Sequence, residues 1–137
     1  IDAVLVGPTG VWALEIKNFS GDYRNFGEHW DYAAGKRRKL LKKSPSHQAK
    51  ANALRLSNFL RADGIRQWVE PAIIWANRES QLAVENPTVV VWRLESLAEE
   101  LGNIWQGKSV EDATRSSISE KLNALCEQQR RKSASTM

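Results

Sequence analysis

The chain has 137 residues, 42% of them hydrophobic and 26% charged, which fits one soluble domain with its own core, and no apolar run approaches the ~18 residues of a membrane span. Twenty Lys and Arg against sixteen Asp and Glu give a net charge of +4, which favours a polyanionic partner without requiring one. The single cysteine excludes an internal disulfide and a cysteine-rich zinc site, and it fits a reducing, cytoplasmic location.

The N-terminal residues predict a β-hairpin. Residues 1–6 and 11–19 are apolar and rich in β-branched and aromatic types, and Gly7-Pro8-Thr9-Gly10 between them favours a tight reversal. Because a strand begins at Ile1 with no basic leader before it, we expect no signal peptide. The chain also lacks an initiator Met, so we expect an excerpt of a longer protein.

A pair of short strands and a long helix are predicted next. Residues 21–35 carry scattered aromatic residues between turn formers, which is typical of two short antiparallel strands. Ser44 at the N-cap and Pro45 at the first helical position predict the start of a helix. That helix should end at Asp63, because Gly64 is a common stop signal.

The second half of the chain predicts a mixture of strands and helices. Short buried strands are expected at 69–75 and 88–92, and helices at 94–101 and 109–128. Periodicity is lost after residue 128, so we expect a domain at 1–128 and a disordered basic tail at 129–137. This order of elements predicts a mixed α/β fold in which helices cover a sheet.

Two opposite charges interrupt the apolar second strand of the hairpin. Side chains alternate across a strand, so Glu15 and Lys17 share one face. If the hairpin folds with Val6 opposite Val11, Asp2 lies directly across from Glu15. Cross-strand partners on one face have Cβ atoms ~4.5–5.5 Å apart, so two carboxylates could hold one divalent cation.

A second register of the hairpin is also possible. A three-residue loop with a bulge would pair Gly7 with Val11 and Asp2 with Ile16, which places charges on both faces. The apolar pattern favours the first register, because it leaves one face wholly apolar. A plainer interpretation of Glu15 and Lys17 is a half-exposed surface ion pair that contributes only ~0–1 kcal/mol.

A basic run leads into the predicted long helix. Its six cations stand near the carboxylates in the predicted fold and favour sequence-independent binding of phosphates. The alternative is a solvated charged strand. The residues concerned are Lys36, Arg37, Arg38, Lys39, Lys42 and Lys43. Among the six tryptophans, Trp12, Trp75 and Trp92 lie in predicted strands and are expected in the core.

The segment 1–18, followed by Gly21, Trp30 and Ser44-Pro45-Ser46-His47-Gln48, resembles the nuclease-related domain, NERD, of the PD-(D/E)xK nuclease superfamily. The resemblance covers roughly residues 1–92. It implies a restriction-endonuclease-like core, with a central mixed β-sheet, the N-terminal hairpin and flanking helices. It also implies cleavage of DNA phosphodiesters with Mg²⁺ or Mn²⁺ in bacterial or archaeal DNA processing.

The resemblance assigns roles to individual residues. Asp2 matches the metal-binding aspartate, Glu15 the second carboxylate ligand, and Lys17 the catalytic lysine of the family. Gln48 matches a polar residue near the start of the following helix. The backbone carbonyl of Ile16 is expected as a third metal ligand.

The sequence departs from the family pattern at two places. Ala3 stands where the family often has His, and the family's upstream helix, with its own glutamate, would precede Ile1. A catalytically inactive nucleic-acid-binding module and an accessory interaction domain therefore stay open beside the nuclease. DNA and other domains of a longer parent chain are the expected partners, and the oligomeric state is left open.

Overall fold

The computed structural model describes residues 1–8, 10–104 and 112–135, which form eight strands, three α-helices and one 3₁₀ turn. The strands are β1 (Ala3–Gly7), β2 (Gly10–Lys17), β3 (Asp22–Phe26), β4 (His29–Ala34), β5 (Arg37–Leu40), β6 (Val69–Trp75), β7 (Gln81–Glu85) and β8 (Val90–Arg93). The helices are α1 (Pro45–Ala62), α2 (Leu97–Ile104) and α3 (Asp112–Ser135), and the 3₁₀ turn spans Leu94–Ser96.

These strands form two four-stranded sheets. The first has the order β1-β2-β6-β8, with β1 antiparallel to β2 and the other neighbours parallel. The second has the order β5-β4-β3-β7, with β3 and β7 parallel and the other neighbours antiparallel. The mixed α/β fold is confirmed. The structure has two sheets in place of the expected single central one, because β3 pairs with β4 and β7, and β4 pairs with β5, instead of with strands of the first sheet.

The hairpin has the first of the two registers considered. Val6 pairs with Val11, and the ladder continues to Ala3 opposite Leu14. One face of β2 packs Val11 and Ala13 against α1, and the opposite face packs Trp12 and Leu14 in a cluster with Trp92 of β8. Burying each Val or Leu side chain stabilises the fold by about 1.5–3 kcal/mol. A shift by one residue would exchange these faces, so the apolar pattern fixes the register.

Helix α1 begins at Pro45 as the sequence predicts and ends at Ala62, one residue before the predicted end. The Ser44 hydroxyl accepts a hydrogen bond from the His47 backbone N–H at 3.2 Å, and Pro45 occupies the first helical position. The buried Ser46 hydroxyl accepts a hydrogen bond from Trp30 Nε1 of β4 at 2.7 Å. At the other end Gly64 has a φ of 76°, a left-handed conformation that suits glycine. The start of α1 is therefore anchored to the second sheet.

Two expectations about regular structure need correction. Strand β7 was not expected as a separate element, because it lacks the alternating apolar pattern of a half-buried strand, whereas β5 is the charged strand given as the alternative for the basic run. Helix α3 continues to Ser135, so the disorder expected from residue 129 is wrong for 129–135. Gln, Arg and Lys there are good helix formers even without an apolar stripe. The domain boundary at 128 stays a prediction, and residues 109–111 and 136–137 lie outside the described ones.

In the described part of the chain, no helix has the length and apolar character needed to cross a membrane.

Candidate active site

Glu15 and Lys17 lie at the end of β2, next to the first turns of α1. Glu15 Oε1 is 3.0 Å from Lys17 Nζ, and Glu15 Oε2 accepts a hydrogen bond from Asn52 Nδ2 at 2.9 Å. Lys17 Nζ also donates to Gln48 Oε1 at 2.7 Å. The Glu15 and Lys17 side chains are only 12% and 15% exposed. Polar contacts therefore hold both groups in place at the margin of the core.

The local geometry explains why these four side chains meet. Residues 15 and 17 share a strand face with Val11 and Ala13, and that face packs against α1. Gln48 and Asn52 are four residues apart in α1, so they lie on the same side of the helix. Asn52 was not identified from the sequence. The spacing Gln48-x-x-x-Asn52 is the signal that could have found it, once the helix was placed on the face that carries Glu15.

Asp2 lies beside Glu15, just before the first strand. The β1–β2 ladder begins at Ala3 opposite Leu14, and its continuation sets Asp2 across from Glu15. The exposed Asp2 carboxylate accepts a hydrogen bond from the backbone N–H of Ile16 at 2.8 Å. This side-chain bond orients the Asp2 carboxylate at the end of the hairpin. This bond joins a backbone N–H to a side chain. In the second register the backbones of Asp2 and Ile16 would pair, and the observed ladder excludes that.

The backbone carbonyl of Ile16 faces the same edge of β2 as Asp2. In an extended strand the N–H and C=O of one residue point to the same side, and the Ile16 N–H points to Asp2. The neighbouring carbonyl, that of Lys17, faces the opposite edge and accepts from the Ala76 N–H at 2.8 Å. Three oxygen donors, from Asp2, Glu15 and Ile16, are thus brought to one end of the hairpin.

These donors fit a hard divalent cation. Mg²⁺ and Mn²⁺ prefer oxygen ligands, and Mg²⁺ in particular uses one or two carboxylates and completes its shell with water and phosphate. Within residues 1–8, 10–104 and 112–135, no three His, Cys, Asp or Glu side chains are grouped as a metal site. Two carboxylates and one carbonyl are what this end of the hairpin can supply.

A cleft of about 340 Å³ opens beside Glu15. Helix α1 supplies its other walls, and the Arg55 Nη1 donates to Asn52 Oδ1 at 3.3 Å there. Because an exposed arginine lies at the cleft, an anionic ligand would find a cation close to the carboxylate. The lining residues are Glu15, His47, Gln48, Ala51, Asn52 and Arg55.

The structure separates the basic run into exposed cations and one arginine that forms ion pairs. Lys36, Arg37 and Lys39 are exposed at or just before edge strand β5, and Lys42 and Lys43 are exposed just before α1. Arg38 differs, because its Nε lies 2.6 Å from Asp31 Oδ1 and its Nη1 lies 3.4 Å from Asp22 Oδ2. Arg38 is therefore engaged in ion pairs within the second sheet. Contact of the six cations with DNA stays a prediction.

Comparison with known protein families finds one match. The family model described as nuclease-related domain, NERD, matches residues 1–76, a stretch that contains Asp2, Glu15, Lys17 and Gln48. This match covers more than half of the 137 residues. No curated protein and no solved structure matches the chain.

Proposed function

We propose that this chain, which belongs to the nuclease-related domain family, hydrolyses DNA phosphodiester bonds with the help of a divalent metal ion. The observation that supports this most is the set of contacts around Glu15. Its carboxylate is held by Lys17 and Asn52, and it stands across from Asp2 at the mouth of a cleft. An acidic pair can hold a metal ion, and an adjacent lysine can offset the charge that develops on the phosphate, which suits metal-assisted hydrolysis of phosphodiesters.

In this proposal Asp2, Glu15 and the Ile16 carbonyl hold Mg²⁺ or Mn²⁺. When bound, such an ion lowers the pKa of a coordinated water and stabilises charge on the phosphoryl oxygens. The protein's own part is to fix the ligand atoms. The Ile16 N–H orients the Asp2 carboxylate, and Asn52 Nδ2 orients that of Glu15. Partners of this kind set ligand orientation and tune metal affinity.

Lys17 has the role of orienting the attacking water and offsetting the negative charge that develops on the phosphate. Its ammonium is directed by two acceptors, Glu15 Oε1 and Gln48 Oε1. A preorganised cation stabilises the transition state more than the ground state, so it affects turnover more than DNA affinity. Gln48 is then a positioning residue for Lys17.

The test is a DNA cleavage assay on the full natural chain with Mg²⁺ or Mn²⁺. Lys17→Ala should lower the cleavage rate by roughly 100-fold or more, while DNA affinity measured in chelator stays within about twofold. The matched control is Lys50→Ala. It also removes one lysine charge, but Lys50 lies in α1 and binds Glu28, not Glu15.

Cleavage that persists in excess chelator, or a Lys17→Ala variant that cuts like the parent, would contradict the metal-dependent site. A chain that binds DNA in chelator but cuts it with neither metal would instead be a binding module. An accessory interaction domain would bind DNA weakly and with little dependence on salt.

A further inference from the structure

One tryptophan differs from the others in the described residues. Trp12, Trp30, Trp75 and Trp92 are all less than 10% exposed, whereas Trp68 is 69% exposed. This is the largest exposed fraction among the large hydrophobic side chains of the described residues. Tryptophan has a larger flat apolar face than the other side chains, so an exposed indole offers a ligand a wide surface for stacking.

The exposed ring is held in one place. Trp68 Nε1 donates to Glu70 Oε1 at 2.7 Å, which fixes the indole relative to β6. The Trp68 carbonyl accepts from Gln67 Nε2 at 3.0 Å, and the Gln67 carbonyl accepts from Ser57 Oγ of α1 at 3.5 Å. The segment that carries the ring is thus tied to the helix on one side and to the strand on the other. A fixed aromatic ring loses little conformational entropy when a ligand stacks on it.

Two arginines share a groove with this ring. The groove has a volume of about 450 Å³ and is lined by Ser57, Arg61, Arg66, Gln67 and Trp68. Both arginines are exposed. Glu70, which binds the indole N–H, supplies one nearby negative charge against the two positive ones. The excess of positive charge beside an aromatic ring complements a ligand that carries both flat rings and anionic groups.

The groove is separate from the proposed cleavage site. Trp68 immediately precedes Val69, which pairs with Val11 at the start of β2, whereas Lys17 pairs with Trp75 at the other end. At 3.3 Å per residue, the six residues from 11 to 17 separate these ends by roughly 20 Å. Arg61 is also nine residues beyond Asn52 in α1, which is about half a rotation around the helix axis.

We propose that Trp68, Arg61 and Arg66 form a second nucleic-acid site, which stacks an unpaired base on the indole and contacts the adjacent phosphates of single-stranded DNA. Stacking tolerates any base, because every base has a flat face, and arginines follow the backbone charge. Duplex DNA keeps its bases stacked on each other, so the ring discriminates against it. The inference rests on the proposed function in one respect, the choice of DNA as the anionic ligand.

The direct test is the affinity of the full chain for a fluorescent oligothymidine of about 16 nucleotides, measured by anisotropy in excess chelator so that no cleavage occurs. Trp68→Ala should weaken binding about tenfold, the loss typical of one stacked base. Trp68→Phe keeps a flat ring and should stay within about threefold of the parent. The matched control is Phe26→Ala, which removes another exposed aromatic ring, 57% exposed, from the second sheet.

The arginines are tested by the salt dependence of the same binding. Replacing both Arg61 and Arg66 by Ala should reduce the slope of log affinity against log salt by roughly 1.4, since each single-stranded phosphate that an arginine neutralises accounts for about 0.7.

Affinity for a duplex of the same length should change by less than about twofold in Trp68→Ala.

A Trp68→Ala variant that binds oligothymidine like the parent would overturn the inference, and so would equal losses for single-stranded and duplex DNA. The proposed function fails by a different readout, the loss of metal-dependent cleavage in Lys17→Ala. The outcomes for the two sites are therefore distinguishable, and an interaction surface for an acidic protein would leave oligothymidine binding unchanged.

Discussion

Two carboxylates of this protein have the same small exposed fraction, 12% of the side chain, but very different surroundings. Asp31 of β4 lies within 3.1 Å of Arg24 Nε, 2.6 Å of Arg38 Nε and 2.8 Å of His29 Nε2. Glu15 of β2 has one cationic contact, Lys17, and one neutral amide, Asn52.

The partners of the two carboxylates separate a structural cluster from the proposed catalytic one. In the Asp31 cluster the two arginines balance Asp31 and Asp22. Burial by itself would raise the pKa of Asp31, but hydrogen bonds from Arg24, Arg38 and His29 outweigh it and hold the pKa well below the ordinary value. At the end of β2, by contrast, Glu15 contacts one cation, Lys17, Asp2 accepts from a backbone N–H, and Arg55 at the cleft contacts Asn52. A divalent cation would complete that group, whereas the Asp31 cluster is already complete.

The first prediction concerns the stability of the second sheet. Asp31→Asn should lower the free energy of unfolding by about 2 kcal/mol, because Arg24 and Arg38 lose the charged acceptor that they share. Urea denaturation followed by tryptophan fluorescence would measure it. Asp63→Asn, at the exposed partner of Lys121, is the control and should cost well under 1 kcal/mol. A large loss of cleavage in folded Asp31→Asn would contradict the division into a structural and a functional cluster.

The second prediction is the acid dependence of that stability. The pKa of Asp31 is lower in the folded state than its ordinary value of 3.8, so this group stabilises the fold fully above that value and progressively less as pH falls below it. Urea midpoints measured between about pH 6 and pH 3 should therefore fall more steeply for the parent than for Asp31→Asn. Parallel profiles for the two proteins would show that Asp31 is not the carboxylate responsible.

The third prediction separates the cations of the basic run that bind DNA from the one that stabilises the fold. Neutralising Lys36, Arg37 and Lys39 together should flatten the salt dependence of duplex binding, by about 0.9 in slope for each phosphate that the protein no longer neutralises, without changing the metal requirement. Arg38→Ala should instead lower stability, because its side chain binds Asp31 and Asp22. If Arg38→Ala changed the salt slope as much as the triple variant and left stability intact, Arg38 would belong with the residues that bind DNA.

The fourth and smallest effect is expected at Asn52. Asn52→Ala removes the amide that orients Glu15 but leaves both carboxylates, so cleavage should fall roughly tenfold and the apparent metal affinity should fall with it. Asn58→Ala, at an exposed asparagine of the same helix, is the control and should change neither quantity. A normal metal affinity in Asn52→Ala would show that Glu15 does not depend on this amide.

The hairpin shows how much of the site could be predicted from sequence. Its register followed from one physical requirement, that one face of the hairpin be wholly apolar, and this set Asp2 across from Glu15. The start of α1 followed from Ser44 and Pro45, which also placed Gln48 in the first turn. The hairpin register and the start of α1 depend on residues that are close in sequence, so the local sequence pattern predicts them.

Other features depend on contacts between distant elements. Asn52 reaches Glu15 only because α1 packs at one particular angle on β2, and no local pattern encodes that angle. In the sequence, Arg38 is indistinguishable from the other cations of the basic run. Only the pairing of β5 with β4 places it next to Asp31. Strand β7 escaped prediction for the same reason, since its pairing with β3 is parallel and distant in sequence.

Calorimetric titration of the chain with Mn²⁺ measures whether the carboxylates at the end of β2 bind a divalent cation. We predict one Mn²⁺ site whose affinity falls at least about tenfold in Glu15→Gln, together with loss of DNA cleavage. Glu70→Gln, at an exposed glutamate of neighbouring strand β6, should bind the ion like the parent. Undiminished Mn²⁺ binding by Glu15→Gln would show that Glu15 is not a ligand of the ion.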